Sequence, residues 1–321
     1  MFLSIAVPCF NEREVIGETT RRLVLLAERL VKKNSITDYE ILYVDDGSTD
    51  GTLDILKALA LRDPRIKVLS LSRNFGQQAA LAAALTYATG DAIVTLDADL
   101  QDPPETIEKM IDRFKEGFEI VYGIRKSRAA DTLLKRLTAE WFYKLMKWMG
   151  VNLIFNHSEF RLVSRKVARN FQGYTEVNLF LRGIFPNMGF RESVIKYERA
   201  KRLAGKTKYP FARLAASAIE GITSFSYVPL RLIAILGFII FVFSIALVGW
   251  ALVTKALGRA IPGWTSTVLP IYAFGGFQLM CIGIVGEYIG KIYMEIKRRP
   301  RFIIRETVNL DTNNKKGFDP S

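Results

Sequence analysis

From Leu3 to Arg125 the chain alternates short apolar runs with helix-patterned ones, and that alternation constrains its fold more than any other feature. "LSIAVPCF", "YEILYVDD", "IKVLSLS", "DAIVTLD" and "FEIVYGIR" have the length and β-branched content of strands. Between them, "REVIGETTRRLVLLAERLVKK", "GTLDILKALALRD", "GQQAALAAALTYAT" and "PETIEKMIDRFKEG" carry apolar residues at helical spacing, the last with prolines at its start. Strands joined by helical crossovers pair in parallel, and a parallel sheet needs cover on both faces. The expected fold class is α/β with a mainly parallel sheet. In such sheets ligands bind at the carboxyl ends of the strands.

Those ends carry the polar clusters. "PCFNERE" closes the first strand and places Asn11 and Glu12 before a helix, where helix capping alone accounts for Asn11. "VDDGSTDGT" closes the second, with Asp45 and Asp46 ahead of Gly47, a residue suited to a tight turn. "SRNFGQQ" closes the third, with Arg73, Asn74 and Gly76. "TLDADLQDPPE" closes the fourth. Asp97 and Asp99 are one residue apart, so on an extended strand both carboxylates point to one side, about 7 Å apart. A hard divalent cation such as Mg²⁺ or Mn²⁺ relieves their repulsion and bridges to phosphate oxygens. Asp102, beside Pro103 and Pro104, reads as the start of a helix.

A net charge of +13 fits phosphates or anionic lipid. Basic residues gather in "YGIRKSRAADTLLKR", with Arg125, Lys126, Arg128, Lys135 and Arg136, and in "AGKTKYP", with Lys206 and Lys208; "HSEFRLVSRK" adds Glu159 and Arg161. Together these can hold a phosphate, arginine being preferred where two contacts are made at once. One histidine, His157, and two cysteines in unrelated segments, Cys9 and Cys281, argue against a zinc site and against a disulfide.

Apolar residues make up 50% of the chain, and the excess lies late. Residues 232–253 and 266–286 contain no charged side chain, and a helix over the first run would span about 33 Å, roughly a bilayer core. The expectation is a transmembrane hairpin, with basic residues at both outer ends placing the rest on the cytoplasmic side. The expected domains are a cytoplasmic catalytic domain over 1–210, an amphipathic interfacial helix or linker over 211–230, two transmembrane helices within 231–290, and a cytoplasmic basic segment with a flexible tail over 291–321. No signal peptide is read at the start, so a multi-pass membrane protein acting on the inner, cytoplasmic side is expected.

The segments "VPCFNE", "VDDGSTDGT", "SRNFGQQAAL", "LDADLQDPPE", "HSEFRLVSRK", "AGKTKYP" and "GEYIGKIYMEIKRRP" resemble, in order, those of bacterial polyisoprenyl-phosphate glycosyltransferases, relatives of dolichol-phosphate mannose synthase. The resemblance implies an inverting family 2 enzyme of Rossmann-like GT-A fold. It implies transfer from a UDP-sugar to undecaprenyl phosphate with Mg²⁺ or Mn²⁺, glucose favoured and N-acetylglucosamine next, for cell-envelope glycan modification.

By the same resemblance Pro8, Asn11, Glu12, Asp46, Arg73, Asn74 and Gly76 bind the nucleotide, and Asp99 and Asp97 organise metal and diphosphate. Glu159 and Arg161 complete the catalytic set. Arg125, Arg128 and Arg136, with Lys206 and Lys208, take the acceptor phosphate. Relatives suggest a homotetramer, and the implied partners are membrane lipid, a flippase and a downstream glycosyltransferase, with no nucleic acid. Where much of the family has aspartate before "FRL", this chain has Glu159, one methylene longer. Two other readings stand beside this one: a polysaccharide synthase, which would carry a "QxxRW"-type motif and more spans, and a membrane-anchored nucleotide-sugar-binding module that has lost catalysis.

Overall fold

The computed structural model describes residues 1–126, 157–176, 179–198, 228–257 and 263–310. Arg128, Arg136, Lys206, Lys208 and the expected interfacial helix up to residue 227 lie outside them, as does the tail from residue 311. The chain divides into two compact units, the second taking in 144–151 and 210–297 and the first the remainder.

The first unit begins β1 (Phe2–Cys9), α1 (Ile16–Lys32), β2 (Asp38–Asp45), α2 (Thr52–Arg62), β3 (Ile66–Leu71), α3 (Gln77–Tyr87), β4 (Ala92–Thr95), α4 (Thr106–Lys115) and β5 (Ile120–Arg125). Then come β6 (His157–Ser164), α5 (Arg165–Phe171), α6 (Leu181–Asn187) and β7 (Glu192–Tyr197). After the second unit the chain returns as β8 (Ile304–Val308). The sheet runs β7-β5-β6-β4-β1-β2-β3-β8. Its centre, β4-β1-β2-β3, is parallel as expected, whereas β6 enters antiparallel between β4 and β5, and β8 closes the far edge antiparallel to β3.

Side-chain alternation explains how both faces are covered. Leu3, Ile5 and Val7 of β1 join Ile41, Tyr43 and Val68 in one cluster with Ile16, Leu23 and Leu30 of α1 and Ile107 and Met110 of α4. The opposite face meets α3, which packs on β1 and β2. In α3 every residue from Ala79 to Leu85 is buried, and its alanines let a helix lie close to the sheet. This arrangement sends the ends of β1 to β4 to one edge, where the polar clusters meet.

The second unit contains α7 (Val228–Ala256) and α8 (Trp264–Ile296), so both charge-free runs are helical. The transmembrane hairpin and the multi-pass inner-membrane location are nevertheless corrected: among the described residues no helix is long and apolar enough to cross a membrane. In α8, Pro270 and Gln278 fall within the charge-free run, and Glu287 and Lys291 follow it. Apolar side chains such as Phe238 and Leu279 stand exposed on these helices.

Candidate active site

The first two strand-end loops are stitched together. Asn11 adopts a left-handed backbone, φ 55°; its N–H donates to Ser48 Oγ at 3.0 Å and its Oδ1 accepts from the Thr49 N–H at 2.9 Å. Glu12 N–H donates to Thr52 Oγ1 at 2.9 Å. Asn11 is therefore a bridge between loops, not a cap, and α1 begins without a side-chain cap. Pro8 is buried within β1 opposite Val44, behind this loop pair.

The third loop is held by Asp46. Its two carboxylate oxygens accept from Phe75 N–H at 2.7 Å and Gly76 N–H at 2.9 Å. Burial pushes the Asp46 carboxyl up while those two bonds pull it back. Gly47, at φ +73°, lies so close to this loop that a Cβ there would be 2.6 Å from the Arg73 carbonyl carbon. The Arg73 guanidinium stacks 4.1 Å from the Phe75 ring centre, and Asn74 is exposed beside it. Three loops thus form one rigid wall whose outward groups are Glu12, Arg73 and Asn74.

The fourth loop carries the acids. Strand β4 stops at Thr95, so Asp97 and Asp99 sit on a turn with Leu100 in left-handed conformation, φ 54°. Asp97 Oδ1 accepts from Gln77 Nε2 at 2.8 Å, and Asp99 Oδ1 from the Gln101 N–H at 3.1 Å. Burial, followed by the charges of Asp102, Asp99 and Glu159, pushes the Asp97 carboxyl up to about 7, with Arg125 opposing. Among the described residues no three acidic, histidine or cysteine side chains gather as a chelate. Two half-buried carboxylates that repel one another nonetheless fit a divalent ion, because Mg²⁺-like cations take one or two carboxylates and leave their other positions to phosphate and water.

Asp102 is not a helix cap. Helix α4 has Glu105 at its N-cap with no side-chain bond, and the carbonyls of Pro103 and Pro104 accept from the Thr106 and Ile107 N–H groups. Asp102 instead turns inward, 1% exposed, and accepts from Tyr197 Oη–H at 2.5 Å and from Arg125 at 3.4 Å.

Strand β6 brings Glu159 and Arg161 alongside β4, with Arg161 opposite Thr95. Both are buried and ion-paired. Glu159 Oε1 also accepts from Arg182 Nε at 2.8 Å and Gln78 Nε2 at 3.1 Å, and Arg161 lies 4.9 Å from the Phe185 ring centre. A carboxylate held by two guanidinium groups and an amide is a poor general base and a good anchor. Sequence reasoning missed Gln77, Gln78, Arg182 and Tyr197. The two glutamines lay within a quoted cluster, while Arg182 and Tyr197 carry no local signal.

The description Glycosyl transferase family 2 matches residues 4–171, from β1 through α5, and so covers all four loops and the Glu159–Arg161 pair. The chain belongs to this family. It is a glycosyltransferase. Over 305 residues the glycosyltransferase is 45% identical to the uncharacterized glycosyltransferase YkoT of Bacillus subtilis, covering 94% of this chain and 90% of that one. It is 41% identical over 307 residues to a prophage bactoprenol glucosyl transferase homolog of Escherichia coli, covering 95% and 99%. A more distant likeness, 21% identity and TM-score 0.46 over 69% of this chain and 76% of the other, is to glucosyl-3-phosphoglycerate synthase of Mycobacterium tuberculosis; it leaves the site to be argued from this chain's own residues.

Proposed function

We propose that this glycosyltransferase moves a sugar, glucose favoured over N-acetylglucosamine, from a UDP-sugar to the phosphate of undecaprenyl phosphate, with inversion at the anomeric carbon. The observation that carries this reading is the half-buried acidic turn of Asp97 and Asp99, tied through Gln77 to the end of the third loop and within the field of the Arg125 guanidinium. The relatives named for bactoprenol glucosyl transfer support the acceptor class.

Asp99 and Asp97 would hold Mg²⁺ or Mn²⁺, which when bound neutralises the donor diphosphate and its developing charge. The nucleotide lies against the wall that Asp46 fixes, and Arg73 offers a cation beside it. Arg125 binds the acceptor phosphate. That phosphate is already ionised at neutral pH, so one of its oxygens attacks the anomeric carbon directly while the bond to the diphosphate breaks and the nucleoside diphosphate leaves. No strong base is required, which agrees with Glu159 being held as an anchor. The chain's part is alignment and charge placement.

The test incubates purified protein, Mg²⁺ or Mn²⁺ and undecaprenyl phosphate with a panel of UDP-sugars and weighs the lipid. A product heavier by one hexose with UDP-glucose is expected, and Asp99→Ala should abolish it in folded protein. No lipid product with any donor would refute the proposal.

A further inference from the structure

We infer that Asp102 and Tyr197 are positioning residues that set the Arg125 guanidinium for the acceptor phosphate. This rests on the function proposed above, and it assigns a purpose to the third carboxylate of the "DADLQD" turn.

Arg125 is the last residue of β5 and pairs in register with Tyr197, the last of β7. The next peptide fastens the same point, Lys126 N–H donating to Tyr197 O at 2.7 Å. Backbone and side chain therefore converge on one spot. Asp102 Oδ1 takes the Tyr197 hydroxyl at 2.5 Å and an Arg125 terminal nitrogen at 3.4 Å. Tyr197 itself cannot swing away. The Phe160 ring meets it edge-on at 5.6 Å between centres, and it fills the space above Gly123, where a Cβ would be 2.9 Å from Tyr197 Cε1.

The geometry leaves Arg125 half committed. Guanidinium has five N–H donors in a rigid fork; Asp102 takes one terminal nitrogen and the Tyr197 side chain also bonds the group, which leaves further donors for a ligand. Its Nε is buried, but the side chain as a whole is 32% exposed, and it is through that exposed part that an incoming acceptor reaches the cation. A phosphate, with several oxygens and negative charge, is the chemistry that matches a preset, partly engaged fork. The tyrosine's role is to fix which oxygen of Asp102 faces the arginine, so that the fork does not pivot.

Steady-state kinetics on wild type, Asp102→Asn and Tyr197→Phe decide the matter, each with acceptor varied at saturating UDP-sugar and donor varied at saturating acceptor, beside a thermal melt. The expected result is an acceptor KM raised about tenfold in Asp102→Asn, equivalent to about 1.4 kcal/mol, and about threefold in Tyr197→Phe, each hydrogen bond being worth that order. Donor KM should stay within about twofold of wild type, since the nucleotide loops are untouched. Should Asp102→Asn not fold, Tyr197→Phe, which keeps the ring and its packing, decides alone. An unchanged acceptor KM, or donor and acceptor KM rising together, would overturn the positioning role while leaving transfer intact. Wild-type protein that makes no lipid product would refute the function itself.

Discussion

Asp97 gives a quantitative handle on the acidic turn. Its carboxyl is raised from 3.8 to about 7, which puts the ceiling on the penalty for ionising it in the folded, metal-free protein at about 4 kcal/mol. Asp97 is half-buried, and water screens such charges, so about 2 kcal/mol is the working figure. Below pH about 4 the group is protonated in both folded and unfolded chains and contributes nothing. As pH rises from 4 to 7 the unfolded chain has released its proton and the folded chain has not, so stability falls; above 7 the full penalty persists. Asp97→Asn removes the charge and keeps an oxygen for Gln77. In EDTA at pH 8 the variant should melt about 4–8 °C above wild type, the gap closing toward pH 4.5, and Mg²⁺ or Mn²⁺ at millimolar concentration should restore wild type more than the variant. A variant that melts at or below wild type at pH 8, or a gap indifferent to pH, would refute the electrostatic account of the turn.

Three further outcomes are expected. Gly47→Ala should cost at least about 2 kcal/mol in urea unfolding, through its left-handed backbone and the 2.6 Å clash with Arg73, and should raise donor KM; a folded variant with wild-type stability would contradict the close approach. Glu159→Ala leaves Arg161 buried without its partner, so a loss of about 3–5 kcal/mol is expected, and retention of wild-type stability by calorimetry would show that the pair is not an anchor. Ending the chain at Phe302 removes β8 and uncovers the β3 edge. Light scattering should then detect association absent from the full chain, and identical scattering would count against β8 as an edge guard.

How much was legible from residues alone divides along local and non-local lines. Strands β1 to β5 and the helices between them follow from apolar periodicity within each segment, and the four loops follow because strand ends are where such sheets put polar residues. Asp102 misled because two prolines beside an acid look like a helix start; the prolines' own carbonyls open α4, leaving the acid to turn inward. Glu159 could be placed beside the acids only by knowing that β6 inserts antiparallel next to β4, and Tyr197 only through the β5–β7 register. Neither pairing leaves a trace in nearby sequence. Strand β8, "IRETV", is hidden within a basic segment by its own charges, yet charged side chains are what an exposed edge tolerates. The charge-free runs are helical as expected, but the membrane crossing expected of them is not supported among the described residues.

The return of the chain at β8 also orders events in time. Asn309 donates to the carbonyl of Ile66, 243 positions earlier, and Lys57 of α2 pairs with Glu306 at 2.7 Å, so the sheet stays one strand short until residue 308 has left the ribosome. During translation the β3 edge waits open while the whole helical unit is made. The catalytic half is completed only by a chain that already carries α7 and α8, and a ribosome that stops early releases a protein with an unfinished sheet.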